Sequence, residues 1–193
     1  MNELINALIT WSNDVNAHEM PKWESLPDID LYMDQVITYM EKQMNVFVNS
    51  DDDKIITPSM INNYVKYKQI PSPIKKKYSK EHLGYLLTIC MLKQVLPIND
   101  ISDLISTQRD KMEMSELYNS FCEVQDEALK AMTDRVQAAV SSADTSENQY
   151  EDALSKLAIK LATEANASRI AAEKILNILE RKKQEANEQK NKK

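Results

Sequence analysis

The sequence predicts an all-α fold, because it is rich in helix-forming residues and almost devoid of glycine. Of its 193 residues, 42% are hydrophobic, enough to bury a core, and only one is glycine. Strands joined by tight hairpins and phosphate-cradling loops both need positive φ, a conformation that favours glycine. Lys, Glu, Gln, Met, Leu and Ala favour helix at exposed positions and are abundant. We therefore expect helices, and neither a β-rich fold nor a nucleotide-binding loop.

Capping residues and proline predict where the helices of the first half begin. Asp28 is placed to cap one helix. Thr57 followed by Pro58 predicts another, because a hydroxyl N-cap is favourable and proline is tolerated at the first helical position. Ser79 and Pro97 mark two further starts. Together with the apolar spacing, these signals predict helices at about 2–18, 28–44, 57–68, 80–95 and from 97 to 106.

Two long helices are predicted after residue 108, at about 110–140 and 147–183, separated by a polar break at 141–146. The first has an apolar stripe, and the second has heptad spacing with a partly apolar seam that Glu164 and Ser168 interrupt. The stripe consists of Leu117, Phe121, Val124, Ala128 and Ala131; the heptad positions are Leu154, Leu157, Leu161, Glu164, Ser168, Ala171, Ile175 and Ile178. These helices either fold back on each other as a hairpin or pair between chains as a coiled coil in a homodimer. The charged tail after Arg181 is expected to fray.

The charge of the chain is divided unevenly. Residues 54–93 hold eight lysines and one acid, Glu81, a balance of +7 that leaves −13 for the rest of a chain whose net charge is −6. Such a separation is typical of an anion-binding surface on an acidic protein.

The helix predicted at 57–68 has a polar face that suits DNA. Helical spacing places Ser59, Asn62, Asn63 and Lys66 on one side, opposite the apolar Met60, Ile61, Tyr64 and Val65. Asparagine is a poor helix former, but it makes bidentate hydrogen bonds to adenine in the major groove. The alternative interpretation is a solvated helix face that happens to carry two asparagines.

A basic segment follows this helix. Lys75, Lys76 and Lys77 are adjacent in a short stretch after two prolines, and Tyr78 comes next. Lysines on a projecting loop suit contacts with the DNA backbone, whereas Tyr78 either supports the loop or contacts phosphate. An ordinary charged turn is the alternative. A polar helix face followed directly by a basic loop predicts duplex binding.

The order of these pieces resembles the DNA-binding domain of MerR-type regulators. The stretch 56–64 stands where that family enters its recognition helix, and Ile70-Pro71 matches the exit of that helix. Lys76 matches a basic residue of the wing. Residues 78–83 and 96–105 match the two helices that follow. The segment 26–33 also resembles a MerR-like family of uncharacterised bacterial proteins. Ser59, Asn62 and Asn63 depart from the family's usual arginines and tyrosine, and Lys68 replaces its usual glycine.

The resemblance implies a winged helix-turn-helix that binds double-stranded DNA and regulates transcription, with recognition helix 57–68 and basic wing 74–78. The residues expected to contact DNA are Thr57, Ser59, Asn62, Asn63, Lys66, Lys75, Lys76, Lys77 and Tyr78. The expected regions are an N-terminal extension (1–27), the winged helix-turn-helix (28–108) and a dimerisation or sensory region (109–193). The alternatives are a protein–protein interaction module and a helical sensor with a small-molecule or protein effector.

No enzymatic site is expected. His18 and His82 are far apart in sequence, and Cys90 and Cys122 form no metal-ligand pair, so neither a metal nor a cofactor is predicted. A disulfide between the two cysteines is the less favoured alternative to buried thiols. No apolar run approaches the roughly 18 residues of a membrane span and the N-terminus lacks the pattern of a signal peptide, which predicts a cytoplasmic protein.

Overall fold

The computed structural model describes residues 3–47, 54–142 and 147–191, and within them the predicted all-α fold is confirmed. Short 3-10 turns occur at Trp23–Ser25 and Asn45–Phe47. The α-helices are α1 (Glu3–Ala17), α2 (Met33–Met44), α3 (Pro58–Lys66), α4 (Lys80–Leu92), α5 (Ile98–Arg109), α6 (Met114–Ser142) and α7 (Glu147–Asn191). The described part has no extended strand, only two isolated β-bridges. None of its helices has the length and apolar character needed to cross a membrane.

Helix α4 lies at the centre of the core. Apolar residues occur around its whole circumference, which is typical of a helix covered on all sides. Its buried side chains include Leu83, Leu86, Leu87 and Ile89, each with no exposed surface. They pack in one cluster with α2, α3, α5 and the first half of α6. The predicted extension of this helix to Val95 is wrong, since α4 ends at Leu92.

Gly84 allows other parts of the chain to approach α4 closely. A methyl group at this position would lie 3.1 Å from a ring carbon of Trp23 and 3.3 Å from the Cε of Met114. Glycine costs about 1 kcal/mol relative to alanine within a helix. Close packing against the Trp23 connector and α6 accounts for its presence here.

Helix α6 connects α4 to the N-terminal part of the chain. Its Tyr118 hydroxyl donates a hydrogen bond to the Pro21 carbonyl at 2.8 Å, and Asn119 Oδ1 accepts one from the Trp23 backbone N–H at 2.8 Å. The predicted stripe of α6 is only partly buried: Leu117 is buried but Val124 is 64% exposed. The buried face is rotated away from the predicted stripe because α4 and the Trp23 connector pack on that side.

Helix α7 folds back along α6 within the same chain, as the hairpin alternative requires. Arg135 of α6 and Glu164 of α7 form an ion pair at 2.7 Å. The early heptad residues of α7, including Leu157, are half-buried, whereas Ile175 and Ile178 remain more than half exposed. The α7 helix continues to Asn191, beyond the point where fraying was expected. Of the predicted break, Ser141 and Ser142 are helical, and 143–146 lie outside the described residues.

Helix α2 begins later than predicted. Its first residue is Met33, so Asp28 does not cap it. Asp28 instead forms an ion pair with Lys80 at 2.6 Å, and Leu31 is held in a β-bridge with Tyr78. These contacts with the start of α4 keep the chain extended up to Tyr32, whose backbone N–H donates to Gln35 Oε1 at 2.9 Å.

Candidate nucleic-acid interface

Helix α3 begins where its capping signal predicts. The Thr57 Oγ1 accepts a hydrogen bond from the Met60 backbone N–H at 3.2 Å, and Pro58 occupies the first helical position. Ile61 and Tyr64 are buried and fix the helix on the core. Burial raises the pKa of Tyr64 to about 12. Thr57 therefore positions α3 through its hydroxyl, which is half-buried at the helix start.

The polar face of α3 is open to solvent. Ser59, Asn62, Asn63 and Lys66 are all exposed. No acidic residue occurs anywhere in the sequence from residue 54 to residue 80. The face therefore presents hydroxyl, amide and ammonium groups without a nearby acid on the same segment.

The end of α3 adopts a Schellman turn built on a lysine. The Gln69 N–H donates to the Tyr64 carbonyl at 2.8 Å and the Lys68 N–H donates to the Val65 carbonyl at 3.0 Å. Lys68 has φ 57°, in the left-handed region that glycine usually occupies in such turns. Tyr67, directly before Lys68, is 65% exposed, and the Lys66 ammonium lies 5.4 Å from the centroid of its ring.

The lysine hairpin, residues 74–77, is the most strained part of the site. Ile74 and Lys77 exchange two backbone hydrogen bonds, at 3.1 and 2.9 Å, which close a two-residue turn. Its central residues, Lys75 and Lys76, have φ of 51° and 63°. Positive φ at both positions is the geometry of a type I′ turn, in which Asn-Gly is favoured. A non-glycine residue in this conformation costs about 1–2 kcal/mol.

The turn presents its two central lysines to solvent. Lys75 and Lys76 are exposed, and within the described parts of the chain neither has a carboxylate at ion-pair distance. Lys77 is half-buried and its ammonium lies 5.1 Å from the ring centroid of Tyr32. Backbone strain of this kind clusters at functional sites.

Tyr78 supports the hairpin and is not part of its surface. Its backbone exchanges hydrogen bonds with Leu31 at 2.9 and 2.8 Å, and its side chain is only 3% exposed. Burial raises the pKa of the phenol. Of the two predicted roles of Tyr78, support of the loop fits its buried position. The expected contact of Tyr78 with DNA is therefore not proposed.

Two of the eight lysines in residues 54–93 have structural partners instead of an open position. Lys80 forms the ion pair with Asp28 described above, and Lys93 donates to the Ile55 carbonyl. The exposed positive charge therefore lies at Lys54, at Lys66 and Lys68 around the end of α3, and at Lys75 and Lys76 of the hairpin. Sequence position alone gives no indication of this division.

The remaining candidate groups are buried or dispersed. Both cysteines are free and buried, so no disulfide joins them, and burial raises the pKa of each thiol to about 11. Within the described residues, no three His, Cys, Asp or Glu side chains are arranged to hold a metal ion. An open apolar groove of about 460 Å³ lies between α1, α6 and α7, lined by side chains that include Trp11, Met132 and Leu157.

Comparison with protein families identifies the central part of the chain. Residues 21–121 match the family described as Domain of unknown function (DUF1836), over more than half of the 193 residues. The chain belongs to the DUF1836 family. The matched segment runs from the Trp23 connector into α6, so the DUF1836 domain contains α3 and the lysine hairpin. No curated protein and no solved structure matches the chain.

The expected membership of the MerR-type regulators is wrong, because the matching family is DUF1836. The structure also departs from a compact helix-turn-helix. Residues 45–57 separate α2 from α3, whereas the two helices of that motif are joined by a turn of about 3–4 residues. The local similarity arose from short signals, such as Thr57-Pro58 and Ile70-Pro71, which specify helix ends in many folds.

Proposed function

We propose that the DUF1836 domain binds double-stranded DNA as a transcriptional regulator in the cytoplasm, with α3 in the major groove and the lysine hairpin on the phosphate backbone. The observation that supports this most strongly is the exposed Ser/Asn/Lys face of α3, followed within one acid-free segment by a strained turn bearing Lys75 and Lys76. Under this proposal the helix and the hairpin would act together, as recognition helix and wing.

Helix α3 would supply sequence preference. With its side chains an α-helix is about 10–12 Å across, which fits the major groove, about 12 Å wide. Asn62 and Asn63 are exposed and are suited to read adenine through paired hydrogen bonds. Ser59 and Lys66 lie toward the two ends of the same face, where phosphate contacts would set the position of the helix.

The lysine hairpin would supply general affinity. Ammonium groups that contact phosphates release condensed counterions, so their contribution depends on salt but not on base sequence. The closed two-residue turn holds the backbone of Lys75 and Lys76 in one conformation, which lowers the entropy cost of placing them on the duplex.

A binding role suits the chain better than a catalytic one. The two cysteines are buried with raised pKa values, and the His82 Nδ1 already accepts a hydrogen bond from the Ser79 backbone N–H at 3.0 Å. The exposed polar side chains of α3 and the hairpin are themselves serine, asparagine and lysine, and a lysine ammonium is a poor general base near neutral pH.

We further propose a homodimer formed through α7. Ala171, Ile175 and Ile178 are exposed and follow heptad spacing, and Leu179 adjoins them. Pairing would double the length of DNA that is read.

A protein-docking role is the second candidate, favoured by apolar residues near the lysines. Ile74 is 73% exposed and Tyr67 is 65% exposed, both within the basic segment. Each adjoins a lysine in the sequence, Ile74 before Lys75 and Tyr67 after Lys66, so a partner with apolar and acidic groups would suit this segment. Under this alternative, an acidic protein partner would replace the duplex.

The test is the salt dependence of duplex binding by the triple variant Lys75→Gln, Lys76→Gln, Lys77→Gln. Fluorescence anisotropy with a labelled duplex should show weaker binding, and the slope of log K against log salt should fall by roughly 0.9 for each phosphate that the variant no longer neutralises. The matched control is Lys111→Gln, Lys130→Gln, Lys160→Gln, which removes the same charge from exposed positions before α6, on α6 and on the first half of α7.

We expect the control variant to keep the wild-type slope. Equal effects of the two triple variants would show that net charge, rather than the hairpin, drives the association. Absence of duplex binding by the wild-type protein at low salt would remove the DNA proposal and leave the docking alternative.

A further inference from the structure

His82 joins the start of α4 to the lysine hairpin. It is the third residue of α4, and its side chain is 6% exposed. The Nδ1 atom accepts a hydrogen bond from the Ser79 backbone N–H at 3.0 Å and lies 2.8 Å from the Ser79 Oγ. Because a backbone N–H can only donate, Nδ1 carries no proton in this arrangement and the neutral ring has its proton on Nε2.

The same imidazole packs on the base of the hairpin. Its ring meets the Tyr78 ring edge to face, with centroids 5.4 Å apart and planes at 83°. Tyr78 is the residue whose backbone pairs with Leu31, and Ser79 follows it directly. The hydrogen bond to Ser79 and the contact with Tyr78 therefore both depend on one orientation of the His82 ring.

The charged groups around His82 come from two elements. Asp30, on the extended segment before α2, and Glu81, on α4 itself, both favour the protonated ring, as do the nearby carbonyls of Pro71 and Ser72. Lys80 is directed to Asp28, and Tyr78 contributes a phenol whose own pKa is raised. The Pro71 and Ser72 carbonyls lie near the ring, but no described group forms a well-aligned hydrogen bond with the buried Nε2. Burial outweighs the favourable groups, and the pKa of His82 is lowered from 6.5.

We propose that His82 is a pH-sensitive latch: the neutral ring holds the lysine hairpin against the start of α4, and protonation of Nδ1 releases it. A proton on Nδ1 would oppose the Ser79 N–H, so the hydrogen bond that now holds the backbone at 3.0 Å would be lost and the ring would keep only the Ser79 Oγ, 2.8 Å away, as a partner. The new positive charge would also lie in the first turn of α4, where the helix dipole disfavours cations.

The direction of the pH dependence follows from the lowered pKa. The folded protein binds this proton more weakly than the unfolded chain, so the stabilisation is complete above pH 6.5 and is lost as the pH falls through 6.5 toward the folded-state pKa. The latch itself does not depend on DNA binding. Only its consequence, weaker duplex affinity in acid, rests on the proposed function.

Hydrogen exchange of the full chain, without DNA, tests the latch. The backbone N–H groups of Lys77 and Tyr78 are both hydrogen-bonded, to Ile74 and Leu31, and so report on the hairpin. We expect their protection factors in the wild-type protein to fall between about pH 7.5 and about pH 5, by roughly tenfold for each unit that the folded-state pKa lies below that of the unfolded chain. In His82→Gln they should stay constant, because glutamine at this position retains an acceptor for the capping hydrogen bond but does not titrate.

His18→Gln is the matched control, since His18 is the other histidine of the chain and burial lowers its pKa too. It should keep the wild-type profile. An unchanged pH dependence in His82→Gln, or constant protection in the wild-type protein, would overturn the latch.

If His82→Gln does not fold, NMR titration of the wild-type ring decides: the amide shifts of Lys77 and Tyr78 must follow the His82 curve. Duplex affinity across the same pH range is measured separately, so a failure to bind DNA at any pH removes the proposed function and leaves the latch result unaffected.

Discussion

Helices α4 and α7 are stabilised in opposite ways. Of the 13 residues of α4, eight are buried, whereas in the described part of α7, a helix of 45 residues, Tyr150 is the one buried side chain. Helix α4 contains Gly84 and the β-branched Thr88 and Ile89, which weaken an isolated helix. Helix α7 is rich in Ala, Lys and Glu and carries i,i+4 ion pairs such as Lys156–Asp152 at 2.6 Å.

One sequence thus uses two sources of helical order. The α4 helix depends on tertiary packing, so its residues contribute to the stability of the whole domain. The α7 helix depends largely on propensity and local pairs, each worth only about 0.2–0.5 kcal/mol. The side chains on the second half of α7 therefore remain exposed and can form a binding surface. For the same reason the candidate functional residues lie away from the centre of the core.

The largest expected effect comes from deleting aliphatic volume in the two helices. Leu87→Ala, at a position with no exposed surface, should lower the free energy of unfolding by about 2–5 kcal/mol. Ile159→Ala, on α7 at a position that is 67% exposed, should change it by less than about 0.5 kcal/mol. Urea unfolding measures both. Similar losses for the two variants would mean that α7 is packed as tightly as α4.

A smaller effect is expected from adding volume. Gly84→Leu must displace the Trp23 ring and Met114, both within 3.3 Å of the new Cβ, so we expect a loss of about 1–3 kcal/mol despite the better helix propensity of leucine. Ser168→Leu, at an exposed position of α7, is the matched control and should be tolerated within about 0.5 kcal/mol. Thermal unfolding of Gly84→Leu at or above the wild-type temperature would contradict close packing at Gly84.

The smallest effect on stability is expected for Ile175→Ser with Ile178→Ser. Both side chains are more than half exposed, so the monomer should change by less than about 0.5 kcal/mol in dilute solution. Light scattering at tens of micromolar should nevertheless show a dimer for the wild-type chain and a monomer for this variant. Ile159→Ser, outside the proposed surface, should remain dimeric. A monomeric wild-type protein would remove the dimer, and the DNA proposal would then require a single short site.

The candidate site itself was only partly predictable. Helical spacing placed Asn62 and Asn63 on the exposed face of α3, because periodicity and burial of Ile61 and Tyr64 follow from the local pattern. The left-handed turn at Lys75 and Lys76 was not predicted, since lysine is not a residue that favours positive φ. The hydrogen bond of His82 to Ser79 and its contact with Tyr78 were not predicted, and the contact with Tyr78 required the folded chain.

By itself, the sequence determined the helical class and the places where several helices begin. Thr57-Pro58 and Ser79 act on groups within three or four residues of themselves, so their effect is present in the chain before it folds. Tertiary structure decided which partners meet. Asp28 pairs with Lys80 instead of capping α2, Tyr78 is buried through Leu31, and the buried face of α6 turns away from Val124. These outcomes join residues distant in sequence, and their energies depend on which surfaces the packed helices bring together, a property that no local pattern contains.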